Sequence, residues 1–288
     1  MRLLVTGGAG FVGHHVVATL RADGHEVVVA DLEPSDITGD LLEPAVREAA
    51  VTPDLDGVVH LAAETSVLGS MERPAFVHRT NVDLTAALLE LCRERGVGTF
   101  ALASTNAVVG AVSGVITEDL PLAPLTPYGA TKAAGEMLMA GYSGAYGLRT
   151  PALRFSNVYG PGMQHKDSFV PRLLKAAAAG SGVEIYGDGT QVRDLVHVRD
   201  IARAMTLAVT GWPSGPVIVG SGASYSVLDI ADAARRASGR EIPATHVPPK
   251  PGEMPAVVVD ASLAASRGWT AQVDLDEGMR EAWADFAP

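Results

Sequence analysis

The 288-residue chain is 47% hydrophobic and 19% charged, which fits a compact globular protein and excludes collagen, coiled coil and wholesale disorder. Its formal net charge of -11 argues against a nucleic-acid or anionic-membrane surface, which needs clustered cations, yet leaves room for a local arginine site for small anions. No run reaches the ~18 apolar residues of a membrane span, and the opening apolar stretch ends at Gly7, too short for a signal-peptide core.

Arg2 to Thr6 reads as a first strand, Phe11 to Asp23 as a helix and Glu26 to Ala30 as a second strand. Gly57 to Leu61 and Thr99 to Ala103 are apolar throughout, as strands covered on both faces are. Long helices are expected over Asn81 to Arg95 and Tyr128 to Tyr146, with a strand over Arg149 to Phe155. The first of these helices carries the only cysteine, Cys92, in the apolar pattern LLELCRER. A buried thiol and a reducing, cytoplasmic setting follow. Beyond Ser156 the texture changes: a helix over Phe169 to Ala179, short strands near Val183 to Ile185 and Leu195 to Val198, and two turn-rich stretches, GPGMQHKDS and PPKPGEMP. Alternating strands and helices predict a parallel sheet with right-handed crossovers. Residues 1–156 would form a nucleotide-binding body, joined by a returning strand and helix from about 190–220. Residues 157–288 would form a smaller, interleaved substrate portion, with the cleft between the two as the site.

The first strand ends in TGGAGFVG. Gly7, Gly10 and Gly13, with Phe11 and Val12, stand where backbone N–H groups at a helix start can meet a pyrophosphate. In a chain of 31 glycines that spacing alone is weak, and the strand before and helix after carry it. Asp31, closing the second strand, can accept both ribose hydroxyls of an adenosine and would repel a 2'-phosphate, so NAD is expected over NADP. Asp40, with Leu41 beside it, is a candidate for the adenine, or else a turn residue.

Tyr128 and Lys132 lie four apart on one helix face. An ammonium beside the phenol, together with a cationic nicotinamide, is expected to bring it down from ~10 toward neutrality. Ser104, Thr105 and Asn106 follow a strand at the edge where open α/β sheets bind ligands, and a hydroxyl there can polarise the oxygen that Tyr128 deprotonates. His14 and His15 face different sides of a helix and share no metal. His197 reads as a packed structural residue, and no metal site is expected.

Together these segments resemble the extended short-chain dehydrogenases/reductases, in the nucleotide-sugar epimerase/dehydratase branch that includes the UDP-glucose 4-epimerases. TGGAGFVG, VVHLAAET, RTNVDLTAALL, ASTNAVVG, TPYGATK, LRFSNVYGPG, IYGDGTQVRDLVHVRDIA and PGEMPAVVVDAS carry the likeness nearly end to end. The resemblance implies an α/β fold, a doubly wound Rossmann-type parallel sheet with a smaller C-terminal α/β portion for a nucleotide-diphosphate sugar. It implies NAD lined by Leu61, Ala62 and Ala63, and catalysis by Thr105, Tyr128 and Lys132. Asn157, Arg193 and Lys250 would hold the nucleotide diphosphate, and Val257 would face the substituent on C2 of the sugar. It also implies a homodimer through a bundle of the two long helices.

Several positions depart from the pattern. Asn106 and Ala107 stand where sugar 4,6-dehydratases carry an Asp-Glu pair, Val109 replaces a usual Tyr, and Lys250 replaces a frequent Arg. A redox-neutral 4-epimerase is therefore expected. A nucleotide-sugar 4-ketoreductase is the alternative, and a non-catalytic NAD-sensing protein, which needs no Tyr and Lys pair, is a second one.

Overall fold

The computed structural model describes residues 1–248 and 256–287, and within them the apolar runs assemble side by side. The first half runs β1 (Arg2–Thr6), α1 (Phe11–Ala22), β2 (Glu26–Asp31), β3 (Ile37–Thr38), α2 (Pro44–Ala50) and β4 (Gly57–His60). It continues with α3 (Val67–Glu72), α4 (Pro74–His78), α5 (Leu84–Arg95), β5 (Thr99–Thr105), β6 (Val115–Ile116), α6 (Pro127–Tyr146) and β7 (Pro151–Phe155). The second half adds β8 (Asn157–Tyr159), α7 (Phe169–Ala179), β9 (Val183–Tyr186), β10 (Val192–His197), α8 (Val198–Thr210) and β11 (Gly215–Val219). After these come β12 (Ser224–Ser226), α9 (Val227–Ser238), β13 (Ala244–Val247), β14 (Ala256–Val259), α10 (Ser262–Ser266) and α11 (Leu275–Trp283).

Seven strands form one parallel sheet in the order β11-β7-β5-β4-β1-β2-β3. The chain winds outward from β1 in one direction through β2 and β3, then in the other through β4, β5 and β7. That reversal opens a crevice beyond the carboxyl ends of β1 and β4, where such sheets bind ligands. Both faces are covered, which is why the strands read as unbroken apolar runs. Val16, Leu20 and Met205 of α1 and α8 pack one face, and Leu88, Leu89 and Met139 of α5 and α6 pack the other. The edge strand β11 is blunted by Pro216 and by Glu118, whose carboxylate accepts the Ile218 N–H at 2.8 Å.

β6 leaves the first half to pair with β14 in a second sheet, β12-β10-β14-β6, with β8 also on β10. The two halves are thus interleaved by strand exchange, while α7, α9 and α11 build their own core around Leu173, Ile230 and Met279. Among the described residues no helix is long and apolar enough to cross a membrane.

Some boundaries differ from the sequence reading. The helix expected from Asn81 becomes α-helical only at Leu84, because Arg79–Asp83 wind as a π turn. The strand expected over Leu195 to Val198 is shifted back, and His197 caps α8 instead of extending into it. β12, β13 and β14 have three or four residues each, too few for alternation to reveal. Lys250 and most of the late Pro-Gly stretch lie outside the described residues.

Candidate active site

The crevice is a cavity of about 360 Å³ at the end of β1. Gly7 turns the chain there with φ +72°, and a Cβ on it would sit 2.6 Å from the Ala62 nitrogen, so the strand-to-helix turn and the loop after β4 touch only because this residue is glycine. Gly10 is the N-cap of α1 and supplies no side-chain cap, which leaves the first-turn N–H groups for a ligand. Phe11, Val12 and Gly13 line the same wall, and Leu61, Ala62 and Ala63 the opposite one. Asp31 accepts the Ala9 N–H at 2.9 Å and the Glu33 N–H at 3.2 Å, one on each carboxylate oxygen, so each oxygen keeps a lone pair for a ribose hydroxyl. Asp40 and Leu41 also line the cavity, but the Asp40 carboxylate accepts the Leu42 N–H at 2.9 Å and so also serves its turn. The buried Thr80 hydroxyl has no partner and lies on this wall. A dinucleotide with two ribose diols and a pyrophosphate fits this donor and acceptor set.

Thr105, Tyr128 and Lys132 meet at the end of β5. Pro127 starts α6 and Thr126 caps it by accepting the Gly129 N–H, which fixes Tyr128 in the first turn. The Thr105 side chain hydrogen-bonds the Tyr128 phenol. Burial raises that phenol to about 12, with the Thr105 contact opposing in part. Without the cofactor's positive charge, Lys132 does not lower the phenol by itself. Lys132 is buried and donates from Nζ to the Ala103 carbonyl at 3.0 Å, and burial lowers its own value to about 8.

A second cavity, of about 220 Å³, is enclosed by β8, α7, β9, β10 and α9. Asn157 and Arg193 line it, as do Arg172, Tyr186 and Gln191, none of which the sequence reading singled out. Asn157 donates from Nδ2 to the Asp194 carbonyl at 2.9 Å, and Arg193 from a terminal nitrogen to the Val192 carbonyl at 2.8 Å. Val257 is the register partner of Arg193 but packs into a buried cluster with Val108, Val109, Ile116, Ala133 and Ile218. Among the described residues it borders neither cavity, so the role expected of it toward a C2 substituent is not carried forward. Strand pairing orders the whole site. His60 of β4 is register partner to Leu102 of β5, and Thr105 of β5 to Phe155 of β7. Thr105 therefore ends the strand flanked by β4, whose following loop lines the first cavity, and by β7, which leads into Asn157 of the second.

Residues 3–220 match the model of the NAD dependent epimerase/dehydratase family. The chain belongs to this family. It is 34% identical to the UDP-glucose 4-epimerase of Corynebacterium glutamicum, covering 99% of this chain and 95% of that one. It is 33% identical to a dTDP-glucose 4,6-dehydratase of Streptomyces griseus over 96% of this chain and 91% of the other. Its fold matches the Thermus thermophilus UDP-glucose 4-epimerase, solved in complex with NAD, with a TM-score of 0.92 at 34% identity and 99% coverage of both chains.

In this member of the epimerase/dehydratase family the triad is braced by polar residues that the sequence reading passed over. Asn81, on the π turn, accepts the Glu64 N–H at 2.9 Å and donates to the Glu64 carbonyl and to Thr131 Oγ, each at 3.0 Å. It clamps the dinucleotide loop to α6 three residues beyond Tyr128. His60 bridges Thr6 Oγ at 2.7 Å and Thr85 Oγ at 3.1 Å, and burial, with the Lys132 charge, pushes it down to about 3. Glu136, one turn after Lys132, forms a buried ion pair with Arg154 at 2.8 Å and accepts the Ser104 hydroxyl. Lys166 reaches from the loop before α7 to Thr65 Oγ at 3.4 Å, at the mouth of the dinucleotide cleft. The signals that could have found these residues are a polar Asn, Thr or Glu inside an apolar helix pattern. His197 is buried, pushed down to about 4 chiefly by burial, and stacks edge-on against Tyr159 at 5.3 Å.

Proposed function

We propose that the chain is an NAD-dependent 4-epimerase of a nucleotide-diphosphate sugar, with UDP-hexoses or UDP-N-acetylhexosamines as its substrate class. The observation that carries this reading is the Thr105, Tyr128 and Lys132 group at the end of β5, with no acid in the turn that follows Thr105. Glu136, a buried carboxylate reached by the neighbouring Ser104, is committed to Arg154. No base is left there to draw a proton from C5, which the dehydratase reaction needs.

Gly10, Phe11 and Val12 would take the cofactor pyrophosphate and Asp31 its adenosine ribose. NAD held there would supply the acceptor for the C4 hydride of the sugar and, once reduced, its donor. Tyr128 takes the O4 proton as the alcohol becomes a ketone and gives it back when the alcohol re-forms, while Thr105 orients that oxygen. Lys132 has one N–H committed to Ala103 and two for the cofactor's ribose hydroxyls. Asn157, Arg172 and Arg193 would hold the nucleotide diphosphate, the guanidiniums by forked hydrogen bonds. The 4-keto sugar must turn over between the two hydride transfers. The protein keeps the nucleotide as a fixed handle during that turn.

The exposed apolar residues Leu68 and Met71 of α3 and Met137 of α6 lie on packed neighbouring helices and support a homodimer across this face. Leu88 and Met139 of the same two long helices are core residues and take no part in that face. A cytoplasmic setting suits Cys92, whose buried thiol is pushed up to about 12 by desolvation.

The test is incubation with UDP-glucose, UDP-galactose and their N-acetyl counterparts, without added reductant, with products resolved by chromatography. Interconversion of a C4 pair supports the reading. Turnover only when reduced cofactor is added would replace it with a reductase.

A further inference from the structure

Lys166 stands on the segment between β8 and α7, and its side chain serves a different cavity from its flanks. Asn157 and Val158 before it, and Ser168 and Phe169 after it, line the second cavity, whereas Lys166 lines the first, together with Gly10, Phe11 and Thr65. The segment is fixed along its length. The Pro161 carbonyl meets His15 Nε2 of α1 at 3.0 Å, the Gly162 N–H donates to the Asp285 carboxylate at 2.6 Å, and Met163 is buried in the core of α7, α9 and α11. The Lys166 N–H donates to the Met163 carbonyl, and the Lys166 carbonyl accepts from Lys175 Nζ, each at 2.9 Å. These contacts hold the Lys166 side chain at the wall of the first cavity in the cofactor-free chain.

In that state the side chain has few partners. The ammonium makes one long hydrogen bond, to Thr65 Oγ at 3.4 Å, which leaves two of its three N–H groups for a ligand. Among the described residues no ion pair joins it to a carboxylate, and Glu64 is paired with Arg73 at 3.4 Å. Burial holds Lys166 below the usual lysine range, and the Glu64 charge opposes this in part. A half-buried ammonium without a counter-ion weighs against folding, because its lost hydration is offset only by an opposite charge.

The cavity supplies a reason to keep it. Asp31, Asp40 and Glu64 bring negative charge to the walls, and Lys166 is the only cation among the described residues that line them. A dinucleotide adds the two negative charges of its pyrophosphate. The N–H groups at the start of α1 carry only partial charge, so the one full positive charge on this wall is the counter-ion at hand.

We propose that Lys166 is a cofactor-binding residue whose ammonium pairs with the pyrophosphate of NAD, so that the dinucleotide is held from the segment before α7 as well as from the glycine turn of α1. The inference rests on NAD occupying the first cavity.

The experiment titrates the cofactor-free full chain, as the unmutated protein, Lys166→Met and Lys166→Arg, with NAD, ADP-ribose, adenosine and UDP. Methionine keeps an apolar stem and removes the charge, and arginine keeps the charge. Lys166→Met should bind NAD and ADP-ribose, which share the pyrophosphate, roughly tenfold or more weakly than the unmutated protein. Adenosine and UDP affinity should stay unchanged, and Lys166→Arg should recover most of the loss. The deficit of Lys166→Met should shrink between about 0.1 M and about 1 M salt, as the Debye length falls from about 10 Å to about 3 Å. Full NAD affinity in Lys166→Met overturns the proposal, as does an equal loss for adenosine, which marks a structural role. A loss confined to UDP overturns it too, by assigning Lys166 to the second cavity. Should Lys166→Met fail to fold, amine acetylation of the unmutated protein, read by mass spectrometry, decides alone. ADP-ribose should protect Lys166 and leave Lys175 reactive, and adenosine should protect neither. Equal labelling of Lys166 with and without ADP-ribose overturns the proposal. Failure of the unmutated protein to bind NAD or ADP-ribose at all would instead overturn the placement of the cofactor, so the two failures are distinguishable.

Discussion

Lys132 gives its Nζ to the Ala103 carbonyl, 3.0 Å away, on the strand that ends at Thr105. The ammonium is thus anchored to β5 in the cofactor-free chain, and the Tyr128 phenol is left under the control of burial, at about 12. Tyr128 is neutral at physiological pH until a further positive charge arrives. Difference ultraviolet absorbance should show no ionisation of Tyr128 below about pH 10 without NAD, and a phenolate signal at lower pH once NAD is added, absent from Tyr128→Phe. A phenolate already present near neutral pH in the cofactor-free protein would contradict this arrangement.

The role proposed for Asp31 is to set the cofactor preference. Replacing it with Asn keeps an acceptor for the Ala9 N–H but removes the charge. A charged hydrogen bond contributes about 1.5 to 3 kcal/mol, so NAD affinity should fall roughly tenfold or more while NADP affinity rises. Titration of the cofactor-free protein with each nucleotide measures both. Equal affinity of the unmutated protein for the two cofactors would remove the role given to Asp31.

His60 links the β1 end to α5 and titrates far below its usual range, at about 3 against an ordinary value of 6.5. Between those values the unfolded chain binds the proton and the folded one does not. Its contribution to stability is therefore complete above pH 6.5 and is lost as pH falls toward 3. From about pH 7 to about pH 5 the loss is roughly 2 kcal/mol. Urea midpoints at the two pH values should converge by about that amount in His60→Gln relative to the unmutated protein. Identical pH slopes in both proteins would show that another group governs acid stability.

The parallel sheet, its glycine turn and the Tyr128 and Lys132 pair were legible because they leave periodic or spaced signatures: unbroken apolar strands, a Gly7-Gly10-Gly13 turn between strand and helix, and two residues one helical turn apart. Asn81, His60 and Glu136 were not. Their partners lie 17 to 54 positions away, at Glu64, Thr6 and Arg154, and a polar residue within an apolar pattern reads equally well as surface or buried. Helical spacing puts Lys132 on the same face as Tyr128, but only the fold reveals that its Nζ donates to the Ala103 carbonyl. The place of Val257 came from the resemblance alone, since β14, at four residues, is too short to show which face it buries.

The exposed Leu68, Met71 and Met137 should be covered in solution by a second copy. Light scattering at micromolar concentration should give the dimer mass, and Met137→Glu should shift it toward the monomer while NAD binding persists. A monomeric mass for the unmutated protein would leave this face unexplained.

The central claim is that one hydride leaves C4 and comes back to it within the same active site. UDP-galactose carrying deuterium at C4 tests it directly, with mass and NMR analysis of the UDP-glucose formed in water without added cofactor. Full retention of deuterium at C4, and no net reduced cofactor, is the predicted result. Loss of the label to solvent or to free cofactor would contradict it.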